Sequence, residues 1–135
     1  MRSLNTYLFF RGNCRDAVEF YRDCLGGEIL DLSVYGDSPE PVAPENKDKI
    51  IHVHLKAEGI ELMASDVLPD RPFTEGNNFS LILDVNSEEE LDRLFSKLSE
   101  GGNVSMKPQD TFWNAKFCMF KDKFGISWMI NCSRK

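Results

Sequence analysis

The amino-acid sequence predicts an α+β fold in which a β-α-β-β-β unit occurs twice. Each half begins with an apolar run, continues with a segment whose apolar residues recur at helical spacing, and then reaches a Gly-Gly pair. A shift of 74 residues aligns the two halves, laying Ala17, Phe20, Tyr21, Cys24 and Gly27 on Leu91, Leu94, Phe95, Leu98 and Gly101. Two such units each leave one sheet face unburied, so they are expected to pack together.

The length and the charge of the chain limit its class. With 135 residues, 41% of them apolar, it is expected to be one globular domain with its own core. The formal net charge of -6 argues against nucleic acid or a membrane as a partner, because both attract basic surfaces. No apolar run approaches the roughly 18 residues of a membrane span, and no signal-peptide pattern is present.

The first half predicts a strand, a helix and another strand. Leu4–Phe10 is an apolar, aromatic run typical of a strand. Asn13 and Asp16 form a capping pair at the start of the helix, and Gly26-Gly27 ends it. The strand and the proline-containing loop that follow are predicted at Glu28–Tyr35 and Gly36–Lys49.

The strands Ile50–Lys56 and Ile60–Asp66 predict a hairpin that turns at Glu58-Gly59. In that register Lys56 faces Glu61, and side chains alternate between the two faces of the sheet. One face is apolar and is expected to lie under the helices; it carries Ile51, Val53, Leu55, Ile60, Leu62 and Ala64. The other face is mixed and polar; it carries His52, His54, Lys56, Glu61, Met63 and Ser65. Such a face meets solvent or lines a ligand cavity.

The second half repeats the order. A strand at Phe79–Val85 precedes a capping box of Ser87 and Glu90, and Gly101-Gly102 closes the helix. Three further strands are predicted at about Val104–Lys107, Ala115–Phe120 and Ile126–Cys132, with a proline-led loop over Lys107–Lys116. The modules therefore span about 1–66 and 79–135, joined by a linker over 67–78.

The four cysteines, Cys14, Cys24, Cys118 and Cys132, show no C-x-x-C spacing. We interpret them as free thiols and expect a cytoplasmic protein, because cytosolic thiols stay reduced. Cys118 has no basic neighbour in sequence, so a nucleophilic thiol is not expected.

Several segments together resemble the PhnB-like branch of the vicinal oxygen chelate superfamily, which includes glyoxalase I and bleomycin-resistance proteins. They are LNTYLFFRGNCRDAVEFYRDCLGG, IELMASD, DTFWNAKF and KDKFGISWMINC. The resemblance covers nearly the whole chain. It implies a single domain, 1–135, in which two βαβββ modules form a cup-shaped mixed sheet with helices on the outer face. It also implies a small-molecule cavity inside the cup and a homodimer.

Sequences of this branch are often named as demethylubiquinone methyltransferases. A Rossmann-type methyltransferase needs a glycine-rich turn between its first strand and helix. Neither half of this chain has such a turn after its first strand. The sequence therefore argues against that activity.

The expected ligand cavity combines residues of both modules. It is lined by Asn5, Tyr7, Phe9, His52, His54, Glu61, Met63, Ser80, Trp113 and Met129. Trp113, with Asn114 and Lys116, belongs to the proline-led loop at the cavity edge, where an aromatic side chain clamps a flat ligand or simply packs. No catalytic residue can be assigned.

Metal-dependent members of the superfamily hold four ligands, two from each half. Strand register carries them to Asn5, Glu61, Ser80 (or Phe79) and Met129, of which only Glu61 suits a divalent cation. The usual metal cage is therefore not expected. The alternative metal site is a three-ligand zinc site of His52, His54 and Glu61. These histidines are otherwise hydrogen-bonded lining residues or acid–base groups, and Lys56 is expected to form a cross-strand ion pair with Glu61.

Three functions remain open from the sequence. The favoured one is a small-molecule-binding protein without the metal cage and without a cofactor. The second is a PhnB-like enzyme that uses a divalent metal for isomerisation, dioxygenation or thiol transfer. The third is a structural or regulatory domain whose cavity is vestigial.

Overall fold

A computed structural model of the chain describes residues 2–134, so Met1 and Lys135, the ends of the expected modules, lie outside the described residues. The chain divides into two compact units, the first up to Phe73 and the second from Thr74. Each unit is a β-α-β-β-β arrangement with its own four-stranded mixed sheet, which confirms the predicted fold class. No helix of these residues is long and apolar enough to cross a membrane.

The first unit contains β1 (Thr6–Phe10), α1 (Cys14–Leu25), β2 (Glu28–Val34), β3 (Ile50–Ala57) and β4 (Ile60–Asp66). Its strands lie in the order β1-β4-β3-β2, in which only the β1–β4 pair is parallel. Two short 3-10 turns, Tyr35–Asp37 and Pro44–Asn46, lie between β2 and β3, so the loop begins one residue earlier than predicted.

The β3–β4 hairpin has the predicted register. Lys56 pairs with Glu61 and His54 pairs with Met63, and Gly59 adopts the positive φ of 71° that the turn requires. The predicted apolar face is buried at Val53, Leu55, Leu62 and Ala64. Helix α1 lies on this face and contributes a buried stripe of Cys14, Ala17, Val18, Tyr21 and Cys24.

The start of α1 differs from the prediction. Asn13 is the N-cap residue, but its side chain accepts no capping hydrogen bond. Instead, Oδ1 of the buried Asp66 accepts from the backbone N–H groups of Gly12 and Cys14, both at 2.9 Å. A carboxylate from the end of β4 therefore caps the helix, because it lies beside the first free N–H groups of α1.

The second unit contains β5 (Leu81–Val85), α2 (Glu88–Leu98), β6 (Asn103–Asp110), β7 (Ala115–Lys121) and β8 (Ser127–Ser133). The order β5-β8-β7-β6, with parallel β5 and β8, repeats the topology of the first unit. The predicted cap is confirmed, since Ser87 Oγ accepts from the Glu90 N–H at 3.1 Å. Helix α2 packs on the sheet, with Phe95 edge-on to Phe120 at 5.8 Å.

The predicted loop over Lys107–Lys116 is wrong in extent. Strand β6 continues to Asp110, and only residues 111–114 connect it to β7. Pro108 is tolerated because β6 is the edge strand and its register shifts between Met106 and Gln109.

One glycine of each unit packs tightly against a strand. A Cβ on Gly27 would collide with the Lys56 carbonyl, and a Cβ on Gly102 would collide with the Lys121 carbonyl. The equivalent of Gly27 is therefore Gly102, one residue later than the 74-residue shift predicts, because the connection after α2 is longer than the one after α1.

Candidate functional site

Each sheet has one face covered by the helix of its own unit and one face that is not. We call the second the open face. On the first sheet, strand alternation and register place His52, His54, Lys56, Glu61 and Met63 on the open face, as predicted. Tyr7 also lies there, because it pairs with Met63. Phe9 follows on the same side of β1.

Tyr7 and His52 form a hydrogen-bonded aromatic pair. The Tyr7 hydroxyl lies 3.1 Å from His52 Nδ1, and the two ring centroids are 5.7 Å apart. Phe9 packs beside Tyr7 with a centroid distance of 5.1 Å. Tyr7 and Phe9 remain 38% and 56% exposed, so aromatic surface is available to a ligand.

His54 and Glu61 form the second polar pair. Nε2 of His54 lies 3.1 Å from Oε1 of Glu61, across the hairpin. The predicted ion pair between Lys56 and Glu61 is wrong, since no Lys56–carboxylate contact within 4.0 Å occurs among residues 2–134. Lys56 is exposed, whereas the His54 side chain is only 21% exposed and reaches the carboxylate from a diagonal position.

Asn5 lies immediately before β1 and is exposed. Its side-chain amide donates to Ser3 Oγ at 3.3 Å. Met63 occupies the centre of the open face, with Tyr7 on one neighbouring strand and His54 on the other. The structure therefore brings together Tyr7, His52, His54 and Met63, and it leaves Asn5 at the end of the sheet.

The open face of the second sheet carries the remaining expected residues. Met129 pairs with Ile82 and Met119, and Ser80 immediately precedes β5. Trp113, 49% exposed, stands edge-on to Phe117 at 5.5 Å, so it belongs to this face as well.

A series of side-chain hydrogen bonds, which the sequence did not predict, holds Trp113 in position. Its indole N–H donates to Asn131 Oδ1 at 3.3 Å, and Asn131 Nδ2 donates to Asp84 at 3.3 Å. The three residues come from a loop and two strands that are far apart in sequence. Only the pairing of β5 with β8 places Asp84 opposite Asn131, so local sequence patterns contain no signal for this chain of contacts.

The donor set does not fit the metal cage of the superfamily. Of the four positions carried over by register, Ser80 and Met129 offer no ligand suited to a hard cation, and Asn5 is bonded to Ser3. His52 and His54 form separate hydrogen bonds, to Tyr7 and Glu61, rather than converging. Within residues 2–134, no three His, Cys, Asp or Glu side chains are grouped as metal ligands would be.

The environments of Cys14 and Cys118 disfavour a reactive thiolate. All four cysteines are buried, and none of them forms a disulfide. Burial raises the pKa of Cys118 to about 11 and that of Cys14 to about 12, and in each case a nearby carboxylate adds to the effect. Both thiols are therefore protonated at neutral pH.

Comparison with known proteins identifies relatives over almost the whole chain. Residues 3–130 match the sequence model of the Glyoxalase/Bleomycin resistance protein/Dioxygenase superfamily. Protein YjdN of Escherichia coli (strain K12) is 34% identical over 138 residues, covering 95% of this chain and 93% of YjdN.

Two solved structures show the same fold at higher or similar identity. Protein PA1353 from Pseudomonas aeruginosa is 44% identical, with a TM-score of 0.87 over 98% of this chain and 100% of that one. The PhnB protein from Bacillus cereus is 30% identical, with a TM-score of 0.79 and the same coverage of the two chains. These similarities support the PhnB-like branch.

Proposed function

Because the chain belongs to the Glyoxalase/Bleomycin resistance protein/Dioxygenase superfamily, we propose that it is a small-molecule-binding protein that works without the usual metal cage of that superfamily. The observation that carries the proposal is the composition of the first sheet's open face. The exposed aromatic rings of Tyr7 and Phe9 share this face with two hydrogen-bonded pairs, Tyr7–His52 and His54–Glu61. The hydrogen bonds hold the polar groups of these pairs in fixed orientations. Apolar contact area with a few placed polar groups is the usual make-up of a ligand site.

The test is a ligand titration with a flat, neutral probe. We expect 2-naphthol to raise the melting temperature of the protein, because a ligand that binds only the folded state stabilises it. Tyr7→Ala should weaken binding roughly threefold to tenfold in calorimetry, since aromatic contacts contribute about 0.5–1.5 kcal/mol.

Leu32→Ala is the matched control. Leu32 is a 40% exposed apolar residue of the same sheet that does not belong to the expected site. Its substitution should leave the affinity for 2-naphthol unchanged. Equal weakening by both substitutions would show that the probe binds general apolar surface.

Metal analysis separates this proposal from the metal-dependent enzyme. We expect the protein purified without chelators to contain far less than one equivalent of zinc, manganese or nickel, because the available donors do not form a cage. Elemental analysis of the parent and of Glu61→Ala measures this directly. One equivalent of metal in the parent, lost in Glu61→Ala, would establish the metalloenzyme instead.

A metal-free enzyme is the second candidate, and the His54–Glu61 pair favours it. An imidazole bonded to a carboxylate at 3.1 Å is a common acid–base arrangement. This candidate requires turnover of a bound compound that is lost in Glu61→Gln while binding persists. Binding without turnover in both proteins supports the sequestering function.

We also propose that the protein is cytoplasmic and homodimeric. Four buried cysteines without disulfides suit a reducing compartment. A dimer would cover exposed aromatic side chains such as Phe79 and Phe112, which are 60% and 97% exposed in the single chain.

A further inference from the structure

The open face of the second sheet contains an open groove of about 380 Å³. All of its lining residues belong to the second unit, and they combine hydroxyl, amide and ammonium groups with apolar side chains. They include Ser80, Asn103, Met119, Lys121 and Ser127. Apart from Ser80, none of them was expected from the sequence to bind a ligand.

Strand register arranges four of these side chains in a polar row. Lys121 pairs with Asn103 on one side and with Ser127 on the other. Ser80 precedes Leu81, which pairs with Trp128, so Ser80 lies next to Ser127. With about 4.8 Å between strands, the row crosses the whole sheet over roughly 14 Å.

Lys121 is the only cation of this row, and it is half-buried. Across the chain from residue 2 to 134, no carboxylate lies within ion-pairing distance of its ammonium group, although the protein as a whole is acidic. Asp84 pairs with Asn131, and Asn131 is four residues from Ser127 on β8. Asp84 is therefore roughly 13 Å from the polar row. Glu75 lies against Gly125, in the turn after β7.

An apolar row runs beside the polar row. It consists of four residues paired across the four strands, Ile82, Met129, Met119 and Met106. Met119 lies two residues from Lys121 on β7, and Met129 lies two residues from Ser127 on β8. The spacing of the rows is roughly 7 Å. Methionine side chains adapt to ligands of different shape, so this row offers a flexible apolar surface next to the charged one.

We infer that this groove binds a small molecule with an anionic head group, a phosphonate, phosphate or carboxylate, attached to a compact apolar body. Lys121 supplies the charge, Ser127, Ser80 and Asn103 supply hydrogen bonds, and Met119 contacts the body. Hydrogen bonds between charged partners are stronger than neutral ones. The groove shares no residue with the site proposed on the first sheet, so the inference goes beyond the proposed function and adds a second class of ligand.

Calorimetric titration with phenylphosphonate tests the inference. The parent protein should bind it more tightly than inorganic phosphate, which lacks the apolar body, and titration with benzoate distinguishes a phosphonate from a carboxylate preference. Lys121→Gln should weaken phenylphosphonate binding at least tenfold, and Lys121→Arg should largely retain it. Ser127→Ala should weaken it severalfold.

Lys107→Gln is the matched control. Lys107 is an exposed lysine of β6 in the same sheet and outside the groove, so its substitution changes the net charge equally. The affinity of this variant for phenylphosphonate should stay within twofold of that of the parent protein. Equal weakening by Lys107→Gln and Lys121→Gln would show only a general charge effect and would overturn the site.

The two proposals fail in different ways. If phenylphosphonate binding does not depend on Lys121 while 2-naphthol binding still depends on Tyr7, the anion groove is wrong and the binding function stands. If the parent binds neither compound at millimolar concentration, both are wrong. Phenylphosphonate binding that depends on Lys121 and is tighter than phosphate binding supports the proposed anion site in the groove.

Discussion

Asp66 joins three parts of the first unit through one buried carboxylate. Besides capping α1 through Gly12 and Cys14, it accepts from the Ile50 N–H at 2.8 Å, at the start of β3. The side chain belongs to a residue that is only 2% exposed. Removal of the carboxylate would leave two buried N–H groups, those of Cys14 and Ile50, without a partner. That loss costs far more than the loss of a surface hydrogen bond.

We therefore expect Asp66→Ala to lower the free energy of unfolding by about 2–4 kcal/mol. Urea denaturation followed by circular dichroism measures the loss. Asp70→Ala, in the exposed segment just after β4, is the control and should change stability by less than about 0.5 kcal/mol. Similar values for the two variants would contradict the capping role.

The buried thiols predict an unusual pH dependence of alkylation. The ordinary thiol pKa of 9.0 is raised to about 12 in Cys14. Because the thiolate is the reactive form, the rate at Cys14 in the folded protein should rise with pH well beyond 9. In guanidinium chloride the same cysteine should react much faster and level off above pH 9.

Iodoacetamide labelling between pH 7 and 11, analysed peptide by peptide by mass spectrometry, measures this difference. Cys118, whose pKa is raised to about 11, should likewise show a rate that is still rising at the upper end of this range. A plateau near pH 9 for Cys14 in the folded protein would contradict the effect of burial.

At the scale of the element, the two helices begin in different ways. α2 is capped locally by Ser87, whereas the Asn13 side chain caps nothing at the start of α1. Ser87→Ala should therefore lower the free energy of unfolding by about 1 kcal/mol. Asn13→Ala should change it by less than about 0.5 kcal/mol.

Parallel urea titrations of the two variants provide the measurement. Both substitutions replace an N-cap residue with alanine, so the two variants differ mainly in whether a capping hydrogen bond is lost. A larger loss for Asn13→Ala than for Ser87→Ala would show that the capping geometry is not as described.

These helix ends also show what local sequence can predict. The Ser87–Glu90 box and the Glu58-Gly59 turn act within a few residues, so their patterns predicted them correctly. The cap of α1 comes from Asp66, 52 residues after Cys14, and depends on how β4 pairs with β1. Pro108 misled the loop prediction because its tolerance depends on β6 being an edge strand.

The same reasoning applies to the open faces of the two sheets. Alternation along β3 and β4 predicted the open face of the first sheet, including the pairing of His54 with Met63. The partner of Glu61 was predicted wrongly, because the choice between Lys56 and His54 depends on side-chain reach rather than on register. The polar row around Lys121 required the order of all four strands.

At the scale of the whole molecule, the proposed homodimer gives a direct prediction. Analytical ultracentrifugation should report twice the mass of a single chain at micromolar concentration, because large exposed apolar side chains such as Phe112 favour association. Phe112→Asp should shift the protein toward the monomer, whereas Lys107→Gln should not. A parent that remains monomeric at about 100 μM would contradict the homodimer, since specific dimers have Kd values in or below the micromolar range.

The parallel pairing of β1 with β4 also has a consequence for biosynthesis. In the first sheet β1 pairs only with β4, although β1 is the first strand to be synthesised and β4 the last of its unit. At ribosomal speeds, Ile60–Asp66 is synthesised on the order of several seconds after Thr6–Phe10. During that interval an apolar, aromatic segment has no strand to pair with, so nascent β1 is open to chaperone binding.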